Sequence, residues 1–256
     1  MSKVLIVYPH GLGDCILATP AIRHMKKTTD NFIGFATLER FRSAELFKNN
    51  PYVDEVIYTK DAWNDYPSFE EGTKDVQAYC EQYAKENKYD KVIMVKHSPD
   101  GSKIMDCFTA LELWHDTVVP MTIDFHTEVY LTDKDRDWAK KRKSKWRFIH
   151  SKTGVSNKDI PEGYARKWMD KNLGSPLMGT KGIYYEIDKF TPITKAFAIL
   201  ESSLAVVVAD SVFYHAAGAM DKDIDLAYFA RGPQVYQRVR PLHHVNQNIV
   251  YQLEPL

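Results

Sequence analysis

The chain has 256 residues, 44% hydrophobic and 27% charged, with 34 basic side chains against 34 acidic ones. That apolar share suits one large domain or two small ones and excludes a disordered chain. A formal net charge of zero excludes the broad basic field of a general nucleic-acid binder. Three dispersed cysteines, Cys15, Cys80 and Cys107, contain no CxxC pair. Neither a zinc ribbon nor a disulfide framework is therefore indicated, and the cytoplasm is the expected compartment. KVLIVY is too short for a signal-peptide core and no apolar run approaches the roughly 20 residues of a membrane span.

In chain order, Lys3 to Tyr8 is a continuous apolar run, as a central parallel strand requires. Cys15 to Lys27 follows with apolar residues at helical spacing. Asn31 to Ala36 reads as a strand, Arg42 to Lys48 as a short helix, VDEVIY as a strand, Phe69 to Asn87 as a long amphipathic helix and YDKVIMVK as another buried strand. Residues 104–115 and 126–132 give no clear pattern. DKDRDWAKKRKSKWR is polar and basic at its end, and reads as a helix running into a linker. A second set follows: strand Arg147 to His150, helix Gly163 to Lys171, strand Gly182 to Ile187, helix Ile193 to Ser202, strand Ala205 to Ala209, helix Val212 to Met220 and strand Asp225 to Phe229. Alternating strands and helices with short loops predict an α/β fold with parallel sheets. The expected domains are two Rossmann-like halves, 1–145 and 146–256, facing a cleft. Open α/β sheets bind ligands beyond the carboxyl ends of their strands, which here means Pro9 to Asp14, His150 to Lys158 and Asp210 to His215.

Three motifs fall at those ends. PHGLGD places Gly11 and Gly13 after the first strand, but Ile16 stands where a dinucleotide fingerprint has its third glycine. Asp14 is then either a helix cap or a catalytic carboxylate. HSKTGVSNKDIP supplies hydroxyls such as Ser151, backbone N–H groups and Lys158. It can be a phosphate cradle or an ordinary polar loop, and it lacks P-loop spacing. VVVADSVFYHAAGAM ends a strand at Asp210 and starts a helix at Ser211 whose amides favour an anion. His215 on that helix is either a core histidine or a ligand contact. Asp221 to Asp225 lacks the glycine and terminal glutamate of an EF-hand loop, and His243-His244 has no ligand partners at metal-site spacing. No metal site is expected. The run Lys140 to Arg147 is a solvated linker or a patch for a polyanion.

KVLIVYPHGLGDCILATPAIRHMKK, with NPYVDEVI and KYDKVIMV after it, resembles the N-terminal half of glycosyltransferase family 9, the heptosyltransferase-like proteins. ADSVFYHAAGAM resembles that family's D-[ST]-G-x-x-H-x-A-x-A segment, and HSKTGVSNKDIP resembles its loop ending in Lys-x-x-Pro. The resemblance spans most of the chain and implies a GT-B architecture, with an N-terminal acceptor domain and a C-terminal donor domain. It implies that Asp14 is the general base and that Lys158 meets the donor phosphates. Asp210 and His215 then sit on the donor side with Ser151 and Ser211, Glu186 is a candidate ribose ligand, and His10, Gly11 and Gly13 form the acceptor or phosphate loop. Val212 replaces the motif's glycine, the G-G-x-x-E segment has no clear match, and the second half is compressed.

The function so implied is metal-independent sugar transfer, with inversion, from a nucleotide-activated donor to an acceptor hydroxyl. The nucleotide sugar is a co-substrate and no cofactor is expected. A surface glycan such as a lipopolysaccharide core is one acceptor, which would place the protein at the inner membrane face. A hydroxymethylated pyrimidine of DNA is another, supported by the basic run alone. A non-catalytic nucleotide-sugar binding protein is the reading outside catalysis. The sequence carries no signal for an oligomeric state.

Overall fold

The computed structural model describes residues 1–39, 43–59, 68–98, 101–113, 123–142, 147–153, 156–173, 184–186, 191–242 and 245–255. Outside them lie residues 143–146 of the basic run, the His243-His244 pair, residue 42 and residues 114–115. The two ends, 182–183 and 187, of the expected strand around Glu186 also lie outside. Two compact units divide the chain, Met1–Tyr130 and Leu131–Leu256.

The first unit is built on a four-stranded parallel sheet of order β3-β2-β1-β4, with β1 at Lys3–Val7, β2 at Phe32–Leu38, β3 at Glu55–Thr59 and β4 at Lys91–Met94. Val4 to Val7 are all buried, which is why this strand carries no polar alternation. Helices α1 (Leu12–Thr28), α2 (Ser43–Phe47), α3 (Phe69–Glu86) and α4 (Lys103–Ala110) connect and cover the strands. Leu5, Val7, Ala36 and Ile57 of the sheet pack with Val76, Cys80 and Ala84 of α3 in one apolar cluster. The start of α3 is fixed by Ser68, whose side chain accepts from the backbone N–H of Glu71 at 3.2 Å. Gly34 is obligatory for packing: a Cβ there would lie 2.2 Å from the Tyr89 hydroxyl, and Glu55 holds that hydroxyl at 2.6 Å.

Of the two stretches without a clear sequence pattern, one is a helix here and the other is irregular. Residues 104–110 are part of α4, which buries Ile104, Cys107 and Phe108. Residues 123–132 run without helix or strand and are tied to α1 by the buried Arg23. Its guanidinium pairs with Asp124 at 2.8 Å and Glu128 at 2.7 Å and donates to the carbonyls of Asp124 and His126.

The second unit has a five-stranded parallel sheet of order β6-β5-β7-β8-β9: β5 at Arg147–His150, β6 at Tyr184–Glu186, β7 at Ala205–Ala209, β8 at Ile224–Tyr228 and β9 at Gln247–Val250. Helices α5 (Asp133–Lys141), α6 (Tyr164–Asn172), α7 (Ile193–Ser202), α8 (Val212–Ala219) and α9 (Pro233–Val239) complete it. Ile149, Val207 and Leu226 pack with Ile160, Ala165 and Met169 on one face of the sheet. The units divide earlier than the expected 145/146 boundary because α5 is anchored to α7. Asp135 closes a capping box with Thr132 and accepts from Thr194 Oγ1 at 3.0 Å, while Arg136 pairs with Glu201 at 3.0 Å.

The two parallel sheets with alternating helices are the fold class that the sequence predicts. Helices α1 and α9 and strand β9 depart from the expected elements, α9 having no counterpart among them. Helix α1 starts at Leu12, not Cys15, and Gly11 is its N-cap. Strand β9 closes the far edge of the second sheet, paired through Asn246 to Ile224 and through Val250 to Phe229. Among the described residues no helix is long and apolar enough to cross a membrane.

Candidate active site

The carboxyl end of β1 leads through Tyr8, Pro9 and His10 into α1. Because Gly11 is the N-cap, Asp14 occupies the first turn of the helix and is not its cap. Its carboxylate instead pairs with Lys103, the first residue of α4, with Oδ1 2.5 Å from Nζ. Both side chains are 18% exposed, so the pair is neither fully dry nor freely hydrated. Burial is the largest influence and works against the Asp14 charge, but the Lys103 ammonium, its hydrogen bond and the neighbouring His10 and His97 together more than reverse it. The carboxyl is held well below the usual carboxylate range. A Cβ on Gly11 would meet only Asp14 Oδ2, at 3.7 Å, which is ordinary contact, and Gly11 has φ −65°. The fold therefore does not demand glycine there, and the bare backbone beside the Asp14 carboxylate is left for something else to approach.

A second group of polar side chains surrounds this pair. The Tyr8 hydroxyl lies 2.5 Å from His97 Nε2, and His97 Nδ1 lies 3.1 Å from Asp106 Oδ2. Asp106 also accepts from the Ser98 N–H and from the Ser98 hydroxyl, each at 3.1 Å. A carboxylate so placed can only accept, so Nδ1–H of His97 donates to it and Nε2 accepts the Tyr8 hydroxyl. The His10 ring packs at a tilt against both, its centroid 4.8 Å from that of Tyr8 and 4.9 Å from that of His97. Burial lowers His10 to about 4, against the opposing pull of Asp14, and it lowers His97 as well. Both imidazoles are neutral near pH 7. Beside Lys103 they leave the Asp14 carboxylate with one strong cation and two neutral rings.

In the second unit the carboxyl ends of β5, β7 and β8 adjoin. Ser151, buried just after β5, fixes the returning loop by accepting the Ile160 N–H at its carbonyl, 2.9 Å away. That loop carries a 3-10 turn at Ser156–Lys158. Lys158 Nζ reaches Asp210 Oδ2 at 3.1 Å, and Arg231, beyond β8, reaches the same oxygen at 2.8 Å. Burial raises the Asp210 carboxyl, and Lys158 and then Arg231 more than reverse it, so its pKa falls below the ordinary value. Ser211 is the N-cap of α8 but makes no side-chain cap. Its Oγ is buried with no hydrogen-bond partner among the described residues. His215 is buried on α8, where its charge would favour ionised Asp210. His150 packs at a tilt against Phe213, ring centroids 4.5 Å apart, and is lowered to about 4 by burial. Glu186 ends β6 in register with Ile149.

The structure thus gathers Asp14, His10 and Gly11 at one strand end, with Gly13 inside the first turn of α1. It gathers Lys158, Asp210, Ser211 and Ser151 at the other set of strand ends. Sequence reading missed Tyr8, His97, Lys103, Asp106 and Arg231. Lys103 is 89 residues from Asp14 and Arg231 is 21 from Asp210, so no local spacing could reveal either pair. Among the described residues no group of three or more His, Cys, Asp or Glu side chains could hold a metal ion.

Comparison of the coordinates with solved structures identifies the architecture. The fold is that of glycosyltransferase family 9 structures. The chain is similar to the glycosyl transferase family 9 protein from Veillonella parvula, at TM-score 0.67 and 15% identity over 97% of this chain and 85% of that one. It is also similar to E. coli ADP-heptose lps heptosyltransferase II, at TM-score 0.64 and 13% identity over 97% and 90% of the two chains. E. coli heptosyltransferase WaaC with ADP-2-deoxy-2-fluoro heptose gives TM-score 0.57 and 12% identity over 97% and 92%. In sequence, no family model and no curated protein matches. The motif resemblance and the three-dimensional likeness agree on the GT-B type of α/β fold.

Proposed function

We propose that this chain is a glycosyltransferase that moves a sugar, with inversion, from a nucleotide-activated donor to an acceptor hydroxyl. The observation that carries the reading is the Asp14 carboxylate, held ionised by Lys103 beside a bare glycine backbone in a chain with this fold. The first unit supplies the base and acceptor loop (Asp14, His10, Gly11 and Gly13). The second supplies the donor side (Lys158, Asp210, Ser211, Ser151, His215 and Glu186).

In this mechanism the acceptor oxygen forms a bond to the anomeric carbon as the bond from that carbon to the diphosphate oxygen breaks. The acceptor proton passes to Asp14, and the bonding pair leaves with the diphosphate. An Asp14 carboxyl held far below the usual range is a weak base toward a resting hydroxyl. Proton transfer therefore accompanies attack, when the oxygen has become acidic, and does not precede it. Lys103 occupies Oδ1 and so directs Oδ2, on the Gly11 side, to the proton. On the donor side, Lys158 and the first-turn amides of α8 stabilise charge growing on the leaving diphosphate. In the proposed reaction this charge stabilisation takes the place of a metal.

WaaC, which shares the fold, was solved with ADP and with an ADP-sugar, so ADP and ADP-sugars are the first probes here. The test is transfer by wild type and Asp14→Asn with ADP-heptose and other nucleotide sugars, against glycan acceptors and hydroxymethylated DNA. Asp14→Asn is expected to lose ~10²–10⁴-fold in transfer rate while retaining donor affinity. Transfer by the variant near the wild-type rate contradicts the base assignment. Donor binding by wild type with no product from any acceptor identifies a nucleotide-sugar binding protein instead.

A further inference from the structure

The Tyr8–His97–Asp106 chain of the first unit takes no part in the proton transfer described above. Strands β1 and β4 are neighbours in the sheet, and Tyr8 and His97 stand just past their carboxyl ends. The Tyr8 hydroxyl donates to His97 Nε2 at 2.5 Å, and His97 Nδ1–H donates to Asp106 Oδ2 at 3.1 Å. The His97 and Asp106 side chains are only 8% and 13% exposed. Asp106 lies one turn after Lys103 on α4. Helix α4 therefore holds the site twice, at Asp14 through Lys103 and at His97 through Asp106. The second hold is enclosed. Ser98 donates its N–H and its hydroxyl to Asp106, and the Gly101 N–H donates to Ser98 Oγ at 2.9 Å. A Cβ on Gly101 would collide with that Oγ.

His97 is where this chain meets the loop that delivers Asp14. The His10 ring packs against Tyr8 and His97 together, and the His10 N–H donates to the Tyr8 carbonyl at 2.8 Å. The loop thus rests on the Tyr8–His97 pair. That pair holds only while His97 is neutral. An imidazolium donates from both nitrogens, so its Nε2 no longer accepts and the buried Tyr8 hydroxyl loses its acceptor there. It also sets a second cation near Lys103 and Asp14. The groups that bear on His97 are Tyr8 and His10 after β1, Asp14 on α1, and Lys103 and Asp106 on α4, with the Cys107 thiol of α4 beside the Tyr8 hydroxyl. Burial pushes Tyr8 and Cys107 up, so both stay protonated. Burial and then Lys103 hold His97 below its ordinary value near 6.5, against the pull of Asp14 and Asp106.

We propose that His97 is a positioning residue for sugar transfer: neutral and protonated at Nδ1 alone, it anchors Tyr8 and with it the loop carrying Asp14, and gaining a second proton releases that anchor and slows transfer. This rests on the transferase reading above and adds a residue to it. Asp106 acts through His97, because its carboxylate fixes which nitrogen carries the proton. Asp14 is held far below the range in which His97 titrates, so the acid limb of transfer belongs to His97. Activity is present above the His97 pKa, which lies below 6.5, and is lost as pH falls through it.

The experiment is the pH–rate profile of transfer by wild type, His97→Leu, His97→Gln and Asp106→Asn, with ADP-heptose and the other nucleotide sugars as donors and the same glycan and DNA acceptors. Nitrogen NMR of the histidine rings reads the His97 tautomer and its titration, and each variant's melting temperature is measured. Wild type is expected to carry the His97 proton on Nδ1 and to titrate with the acid limb. His97→Leu leaves the Tyr8 hydroxyl without its acceptor and is expected to lose on the order of tenfold in rate at neutral pH. His97→Gln offers Tyr8 an amide oxygen and takes up no proton. It is expected to recover most of that rate and to carry its acid limb to lower pH. Asp106→Asn keeps an oxygen for His97 Nδ1–H and the Ser98 N–H but removes the charge that favours imidazolium. Its acid limb is expected to fall by roughly one pH unit, and it decides the matter if the His97 variants melt well below wild type. An acid limb unmoved in folded His97→Gln or Asp106→Asn, or a wild-type His97 protonated at Nε2 alone, overturns the role given to His97 and leaves the transferase reading standing. Failure of wild type to transfer any sugar overturns the transferase reading, and the role of His97 with it.

Discussion

The Asp14–Lys103 pair decides how the proposed base behaves. Lys103→Met removes the cation that keeps Asp14 ionised, so burial is left to raise its carboxyl. The acid limb of the pH–rate profile is then expected to move to higher pH, together with a loss of about 1–3 kcal/mol of stability from the broken, partly buried pair. A profile unmoved by the substitution contradicts the electrostatic role given to Lys103. Two histidines make a separate stability prediction. His10 and His150 are both lowered to about 4 by burial from an ordinary value near 6.5. The unfolded chain therefore binds more protons than the folded one between those values. Their contribution is fully present above about pH 6.5 and is lost as pH falls toward 4. Denaturant titrations from pH 7 to pH 4 are expected to show a fall on the order of a few kcal/mol, flattened in the His10→Gln/His150→Gln double variant. At this scale the sequence reading singled out Asp14 and Lys158 as candidates because each stands beside glycines, prolines or a strand end, and their proposed roles come from the resemblance. It could not find Lys103, His97 or Arg231, since what gives those residues meaning is a partner brought close by the folded sheet.

The strands were legible where burial is two-sided. KVLIVY and LAVVVA are continuous apolar runs because helices cover both faces of a parallel sheet, and both are strands at the expected places. Helix α4 was not legible. KIMDCFTA is only eight residues long, and its apolar positions Ile104, Cys107 and Phe108 cover a single turn and a half, too short for a period to emerge. Strand β9, QNIV, is half-buried at a sheet edge and has only two apolar residues. The start of α1 was misplaced because HGLGD reads as a turn, yet Leu12 and Gly13 already have helical geometry with Gly11 as the cap. The packing of β2 gives a test at the same scale. Gly34→Ala puts a methyl 2.2 Å from the Tyr89 hydroxyl and 2.8 Å from its ring carbon Cζ. It is expected to destabilise the protein by about 1–3 kcal/mol. The cost should shrink when Tyr89 is also replaced by Ala, as a double-mutant cycle would read out. Equal costs in both backgrounds contradict the steric account.

For the whole molecule, the two units have separate parallel sheets and separate apolar clusters. Their division at 130/131 assigns the polar helix α5 to the second unit, although the sequence reads it as a lead-in to a linker. Composition alone cannot see the anchors, Thr194 and Glu201, that α7 offers it. The molecule as a whole has a glycosyltransferase family 9 fold at 15% identity or less to the structures it resembles. The proposed donor site is therefore the part of the account most open to direct trial. The decisive measurement is the thermal shift of wild type and Lys158→Ala with a panel of nucleoside diphosphates. A ligand at about 100 times its dissociation constant stabilises a folded protein by ~2.7 kcal/mol. We expect one diphosphate to raise the melting temperature of wild type by several degrees and to leave Lys158→Ala unmoved. A wild type indifferent to every nucleotide, or a variant that shifts as far as wild type, would contradict the assignment of Lys158 to a nucleotide-sugar donor.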